Sequence, residues 1–430
     1  MTMGAKVQSS KSVFLIAMGW MRESSDNLAS CVSGLAATIR ALEAEGIVVP
    51  SPDGDVVLKV QIHVAADLAA IWKLNGVGSA STAQSCLYCG VHKTHRQDIG
   101  RPECNLALAE NWRTDLQDIF GVPVERTHIC VLHTKCRITE KPLKLVAVEA
   151  EVRRDAAAKT LAEARTAVAK RRAELRKPTR ATPDRENVAT GGKRKMAATS
   201  DSAAAAACRD AVDKAVAEQA EAEQVLKRLG SAEEYAAALA DAIGVSFNFN
   251  VKQSTRSSDA DTVQCPSLSG PSCGRLWGSR DVVHEPYLLA LQGAFGMCEH
   301  DVSGATLHTG GEICMLCNTV AIFRVFSRSI LPVLEAQTSE TLDKIHQAEG
   351  MCRFMPEAFD ELLKRWGEAL VFTFYHGGAA NVVSDYIHIV VEHAAELIKL
   401  QGPLGAWSQQ GFEAAHKGIK CDILYDFNTC

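Results

Sequence analysis

The chain has 430 residues, 47% of them hydrophobic and 23% charged, with a formal net charge of −5. That balance is ordinary for a soluble globular protein of two or three domains and excludes a wholly disordered or collagen-like chain. Its 15 cysteines, an odd number without framework spacing, argue against a disulfide scaffold. They point instead to a reducing, nuclear or cytoplasmic compartment in which thiols are buried or bind metal.

Residues 13–20 are continuously apolar and are predicted to form a strand covered on both faces. The run is too short to span a bilayer and no cleavage site follows it, so neither a transmembrane segment nor secretion is expected. Leu28, Val32, Leu35, Ala36, Ile39 and Leu42 recur at helical spacing and predict a helix over 26–45. Turn residues at 50–55 then precede β-branched, alternating residues 56–64, a second strand that leads into Asp67. A carboxylate at the C-terminal end of a strand is where open α/β sheets place reactive groups. Taken alone, Asp67 is better read as the N-cap of a short helix over 68–74.

A Gly/Ser/Ala loop follows and leads to Cys86-Leu-Tyr-Cys89, with His92 and His95 close behind. The CxxC could close a local site with those histidines, but their spacing is tight for four ligands. The other half of a zinc site is offered far downstream by His388 and His393, since H-x4-H is an accepted half-site spacing. Five residues turn a regular helix by about 140°, which does not put both imidazoles on one face. His128, Cys130, His133 and Cys136 form a mixed set better suited to core packing. Cys314 and Cys317 lie in an apolar helical run and read the same way.

Residues 147–176 and 203–242 are Ala/Glu-rich and helical, interrupted by a Pro- and Gly-containing basic stretch. They predict an antiparallel helical hairpin, peripheral to the core, with a disordered basic end. From 151 to 196 there are 14 Lys and Arg against 6 Asp and Glu, a local +8 that leaves −13 for the rest. Residues 245–278 read as loop. Helices are predicted over 313–333, 335–347, 356–374 and 380–400. Gly402-Pro403 breaks the last of these, and a lone acid, Glu413, follows between Gly411 and His416.

Taken in order, these motifs resemble the catalytic core of the V(D)J recombination-activating recombinase and its Transib-like DDE transposase relatives. In that family an RNase H-like fold carries Asp, Asp and Glu. A zinc ion is held by a CxxC after the second Asp and an H-x4-H before the Glu. Here Asp67 lies 19 residues before Cys86, and His393 lies 20 residues before Glu413. The texts YIHIVVEH, GPLGAWSQQGFEAAHK and VLHTKCRITEK are also similar to the family's. The resemblance covers roughly 1–150 and 310–430. The family's first acid position falls on Met3, just before Gly4, so it implies a truncated or decayed member and leaves enzymatic activity open.

The resemblance implies an α/β RNase H-like core with a large α-helical insertion and a zinc-stapled helical region. The expected divisions are a first core part over 1–95, a connecting α segment over 96–146, the hairpin over 147–245, a helical insert over 246–400, and a final core helix over 401–430 carrying Glu413. It also implies structural Zn²⁺ on Cys86, Cys89, His388 and His393. Asp67 and Glu413 would be catalytic ligands of Mg²⁺ or Mn²⁺, for two-metal phosphodiester hydrolysis and strand transfer. The implied partner is double-stranded DNA, bound through a homo-oligomer such as a dimer. The alternatives are an inactive, zinc-stabilised DNA- or protein-binding relative and an unrelated helical interaction protein.

Overall fold

A computed structural model describes residues 25–116, 118–176, 197–243, 270–277, 284–295, 302–348, 353–375 and 382–407. Helices dominate. α1 (Ser25–Glu45) is followed by an antiparallel pair, β1 (Ile47–Val49) and β2 (Val56–Leu58). β3 (Val64–Ala66) leads into α2 (Leu68–Leu74), and β3 pairs in parallel with β4 (Thr127–Ile129), setting Ala65 beside His128. The expected strand over 56–64 is therefore two short strands that belong to different sheets. Among the described residues these two-stranded pairs are the only sheets. The strand expected over 13–20 lies outside the described residues.

α3 (Val131–Arg176) runs unbroken through Pro142 and through the expected boundary at 146/147. Its first half is core: Ile138, Leu143, Leu145, Val146, Ala147 and Ala150 are buried, whereas Leu161 and Val168 are the buried residues of its second half. The connecting segment is thus irregular chain and 3-10 turns up to residue 126, then β4 and the root of the long helix. α4 (Ala197–Arg228) packs along the outer half of α3. α5 (Ala232–Ile243), by contrast, belongs to the core through Tyr235 and Leu239. The outer parts of α3 and α4 thus pack on each other, α5 belongs to the core, and the basic stretch expected between the helices lies at 177–196, outside the described residues. The stretch expected to be loop contains α6 (Gly270–Trp277), which buries Cys273 and Leu276.

α7 (His284–Phe295) packs on α5. α8 (Met315–Val325) continues through a π-helical turn at Phe326–Ile330 into α9 (Leu331–Glu335). Met315–Glu335 is apolar and long enough to cross a bilayer, but 56% of its most apolar window is buried in the core, so it is no clear transmembrane segment. α10 (Ser339–Ala348) and α11 (Pro356–Tyr375) follow, then α12 (Asp385–Gln401).

α12 is buried nearly all round because it fills the space between α11, α3 and the loop after α2. Its close approach to α11 requires Gly367, where an added Cβ would meet Val391 Cγ1 at 2.8 Å. The Ser384 hydroxyl caps its N-terminus by accepting the Ile387 N–H, and Gly402 at φ 78° ends it.

Replacing residues 157–225 with a short flexible linker should leave one cooperative thermal transition, because the described residues of that stretch lie outside the main core cluster. Leu239→Ala should cost about 2–5 kcal/mol, as for other fully buried leucines. Loss of cooperativity in the deletion variant would show that the outer hairpin is integral to the fold.

Candidate metal centre

The loop after α2 is held in place by its own backbone. The Trp72 indole N–H donates to Ser85 O at 2.7 Å, and Arg113 donates from its backbone to Tyr88 O and from its guanidinium to Cys86 O, both at 3.0 Å. The Tyr88 hydroxyl donates to Thr127 O of β4 at 2.9 Å. These contacts present Cys86 and Cys89 to α12, and all four side chains of Cys86, Cys89, His388 and His393 are buried.

Their ligand atoms lie within 4.8 Å of one another. Cys86 Sγ is 3.4 Å from His393 Nε2, and Cys89 Sγ is 3.3 Å from His388 Nε2. Zinc–sulfur and zinc–nitrogen bonds of about 2.3 and 2.0 Å at a tetrahedral angle would place S and N about 3.5 Å apart. The group can therefore hold a metal ion such as zinc with little adjustment. α12 is regular throughout, so the helical turn between the histidines is not relieved by a kink. Their rings stand perpendicular, 5.0 Å apart, and both reach the same loop.

The electrostatics also fit a cation. Burial acts to raise the Cys86 thiol, but the hydrogen bond with Cys89 and the charges of His393 and His388 outweigh it and hold Cys86 well below the ordinary thiol range. Cys89 is pushed up by hydrogen bonds with Cys104 and Cys86 and by burial. A dication would hold both sulfurs as thiolates. The Nδ1 atoms of His388 and His393 are buried and have no hydrogen-bond partner among the described residues.

Around the four ligands lies a polar clamp. Ser85 Oγ donates to Asp385 Oδ1 at 2.7 Å, and the buried Arg96 pairs with Asp385 at 2.7 Å. The Gly100 N–H donates to Glu392 Oε1 at 2.7 Å, next to His393. Cys104, which no sequence spacing marked, places its sulfur 3.9 Å from Cys89 Sγ.

The other expected site residues fall elsewhere. His92 and His95 are exposed outside the cluster, and His92 caps a 3-10 turn, so the local alternative fails. Cys136 is hydrogen-bonded with Cys273. Cys314 stands at the N-cap position of α8 without a side-chain capping bond, and Cys317 lies in its first turn. Asp67 Oδ1 accepts the Ala70 N–H at 2.7 Å, the N-cap role. Glu413 lies outside the described residues. Tyr386, on α12 beside the metal group, accepts the Leu68 N–H at 3.4 Å; its hydroxyl is raised to about 12, by burial first and by the Asp67 charge among lesser causes.

His128 faces His63, with Nε2 to Nδ1 at 2.8 Å, and stacks on Trp407 at 3.8 Å between centroids. Burial first, then the His63 charge, holds His128 down at about 4, while Arg126, paired with Glu43, adds to the lowering of His63. No family model, curated protein or solved structure matches the chain.

Purified protein should carry one zinc per chain, and stripping it with a strong chelator should lower the melting temperature by more than about 10 °C. Cys89→Ser should lose the zinc and its response to chelator together; full melting temperature without metal would remove the site's structural importance.

A histidine whose folded pKa lies below its unfolded value stabilises the fold fully above the unfolded pKa. For His128 that contribution is lost as pH falls from 6.5 toward about 4. The gap is worth on the order of 3 kcal/mol. Denaturant titrations should therefore show wild type losing more stability across this window than His128→Gln, by up to that amount. The difference between the two proteins cancels protonation of the zinc ligands. Parallel losses would contradict the assignment.

Proposed function

We propose that the chain is a zinc-stapled core of the DDE transposase/recombinase kind that acts on double-stranded DNA. The observation that carries this reading is the meeting of CxxC and H-x4-H, in the order the resemblance implies. Two further facts support it. Asp67 stands at the end of β3, and Tyr386 on the histidine-bearing helix reaches the first residue of the helix that Asp67 caps.

On this reading zinc, held by Cys86, Cys89, His388 and His393, is structural and supplies no chemistry. A divalent Mg²⁺ or Mn²⁺ held by Asp67 and Glu413 would supply charge stabilisation at a phosphodiester. Asp67 can serve as cap and ligand together, because an ionised carboxylate has about four lone-pair sites and the Ala70 N–H takes one. α12 positions the Tyr386 hydroxyl beside this carboxylate, and the metal group fixes α12 against the loop.

A second reading, a DNA-binding relative that does not cut, is favoured by Asp67 being fully explained as a cap and by Met3 at the first acid position. Asp67→Asn separates the two, since asparagine caps as well as aspartate but is a poor ligand for a hard cation. Zinc-loaded protein should retard duplex DNA, and Cys86→Ala should not. Mn²⁺-dependent nicking of supercoiled plasmid should be weak and abolished by Asp67→Asn and by Glu413→Gln. Binding with no nicking under any cation establishes the second reading. Failure to bind DNA at all, or nicking that survives both substitutions, overturns the proposal.

A further inference from the structure

α3 and α4 pack through Leu161 and Val168 on one helix and Ala215 and Ala222 on the other, and one flank of the pair is left open. There a groove of about 540 Å³ is lined by Ala157, Thr160, Ala164, Ala167, Ala222 and Val225. Val225 is 45% exposed. Three carboxylates, Glu163, Glu218 and Glu221, complete the lining; among the described residues they are engaged by a single long contact, Lys214 to Glu218 at 4.0 Å.

The helices are antiparallel. Arg154 lines a cavity with Lys227 and Arg228, Arg165 pairs with Glu223, and Ala167 shares the groove with Glu218. With Ala167 and Glu218 level, one turn in one direction brings Glu163 on α3 level with the Glu221–Ala222 step on α4. One turn in the other direction brings Arg171 and its neighbour Lys170 level with Lys214. The same flank is therefore acidic on one side of the Ala167 level and basic on the other. Arg171 and Lys214 are respectively 55% and 80% exposed, and their ion pairs are to residues of their own helices, Glu174 and Glu218.

Apart from Glu218, which at the axis level meets its own copy and is offset by Lys214 at 4.0 Å, a surface with this pattern is complementary to itself under a two-fold rotation. A copy turned by 180° about an axis at the Ala167 level lays its Arg171 and Lys214 against Glu163 and Glu221, and receives the same in return. Alanines at the crossing allow the close helix approach that such packing needs. We propose that this flank of α3 and α4 is a dimerisation surface whose occupant is the same flank of a second copy of this chain. A contact about 25 Å long and 20 Å wide covers on the order of 500 Å² per copy, at the low end of specific interfaces, so the dimer is weak and salt-sensitive. The proposal is independent of the DNA-processing reading.

Sedimentation of the full chain over about 1–200 µM should show a monomer–dimer equilibrium that weakens at least tenfold between low and high salt. Glu163→Lys and Arg171→Glu should each be monomeric across that range with unchanged melting temperature. Mixed one to one they should dimerise again. In the heterodimer the introduced lysine faces the introduced glutamate at one symmetric contact, and native Glu163 faces native Arg171 at the other. Three results overturn the proposal: a wild-type chain that stays monomeric, which leaves the groove to a different partner; dimers indifferent to both substitutions; or no rescue on mixing.

Discussion

Two thiols from one loop and two imidazoles from one helix must meet across a sequence separation of 299 residues, that of Cys89 from His388. Closing a loop of that length costs about 5 kcal/mol of chain entropy. A zinc ion on two thiolates and two imidazoles contributes about 10–16 kcal/mol, comparable with or above the 5–15 kcal/mol net stability of a whole domain. Bound zinc would therefore make the ligand group a determinant of the fold on the scale of the fold's total stability. The segment from Ser85 to Gly100 has little regular structure of its own and is positioned by its bonds to Trp72, Arg113 and β4 on one side and by α12 on the other.

The burial of α12 follows from this. The helix carries Asp385, His388, Glu392 and His393 toward the loop, and each meets a partner there: Ser85 and Arg96, Cys89, the Gly100 N–H, and Cys86. The same helix carries Tyr386 to the start of α2, and Gln401 to the Glu125 carbonyl just before β4. One rigid element thus registers the metal group, the Asp67 turn and the β3–β4 pair against one another. Burying Glu392 and Asp385 would be costly without these hydrogen bonds, so the clamp holds only in the geometry that also brings sulfur to nitrogen.

Much of this was legible in the residues. Regular apolar spacing marked α1, α2 and α11 closely, and the pairing of CxxC with H-x4-H identified four side chains that the fold brings together. The helical turn between His388 and His393 counted against them because Cα directions were considered without side-chain reach; two imidazoles bend around a regular helix to one loop. The β-branched run at 56–64 did not reveal that it divides between two sheets, since alternation says nothing about the partner strand. Cys104 and the His63–His128–Trp407 stack carry no local pattern, as their contacts come only from tertiary packing. The break expected at 146/147 marked where α3 leaves the core rather than where an element ends.

X-ray absorption at the zinc edge tests the central claim most directly. A first shell of two sulfurs at about 2.3 Å and two nitrogens at about 2.0 Å, with no bound zinc left in Cys89→Ser, is the expected result. A shell of oxygen donors, or a four-ligand shell unchanged by substitution at Cys86, Cys89, His388 or His393, would contradict it.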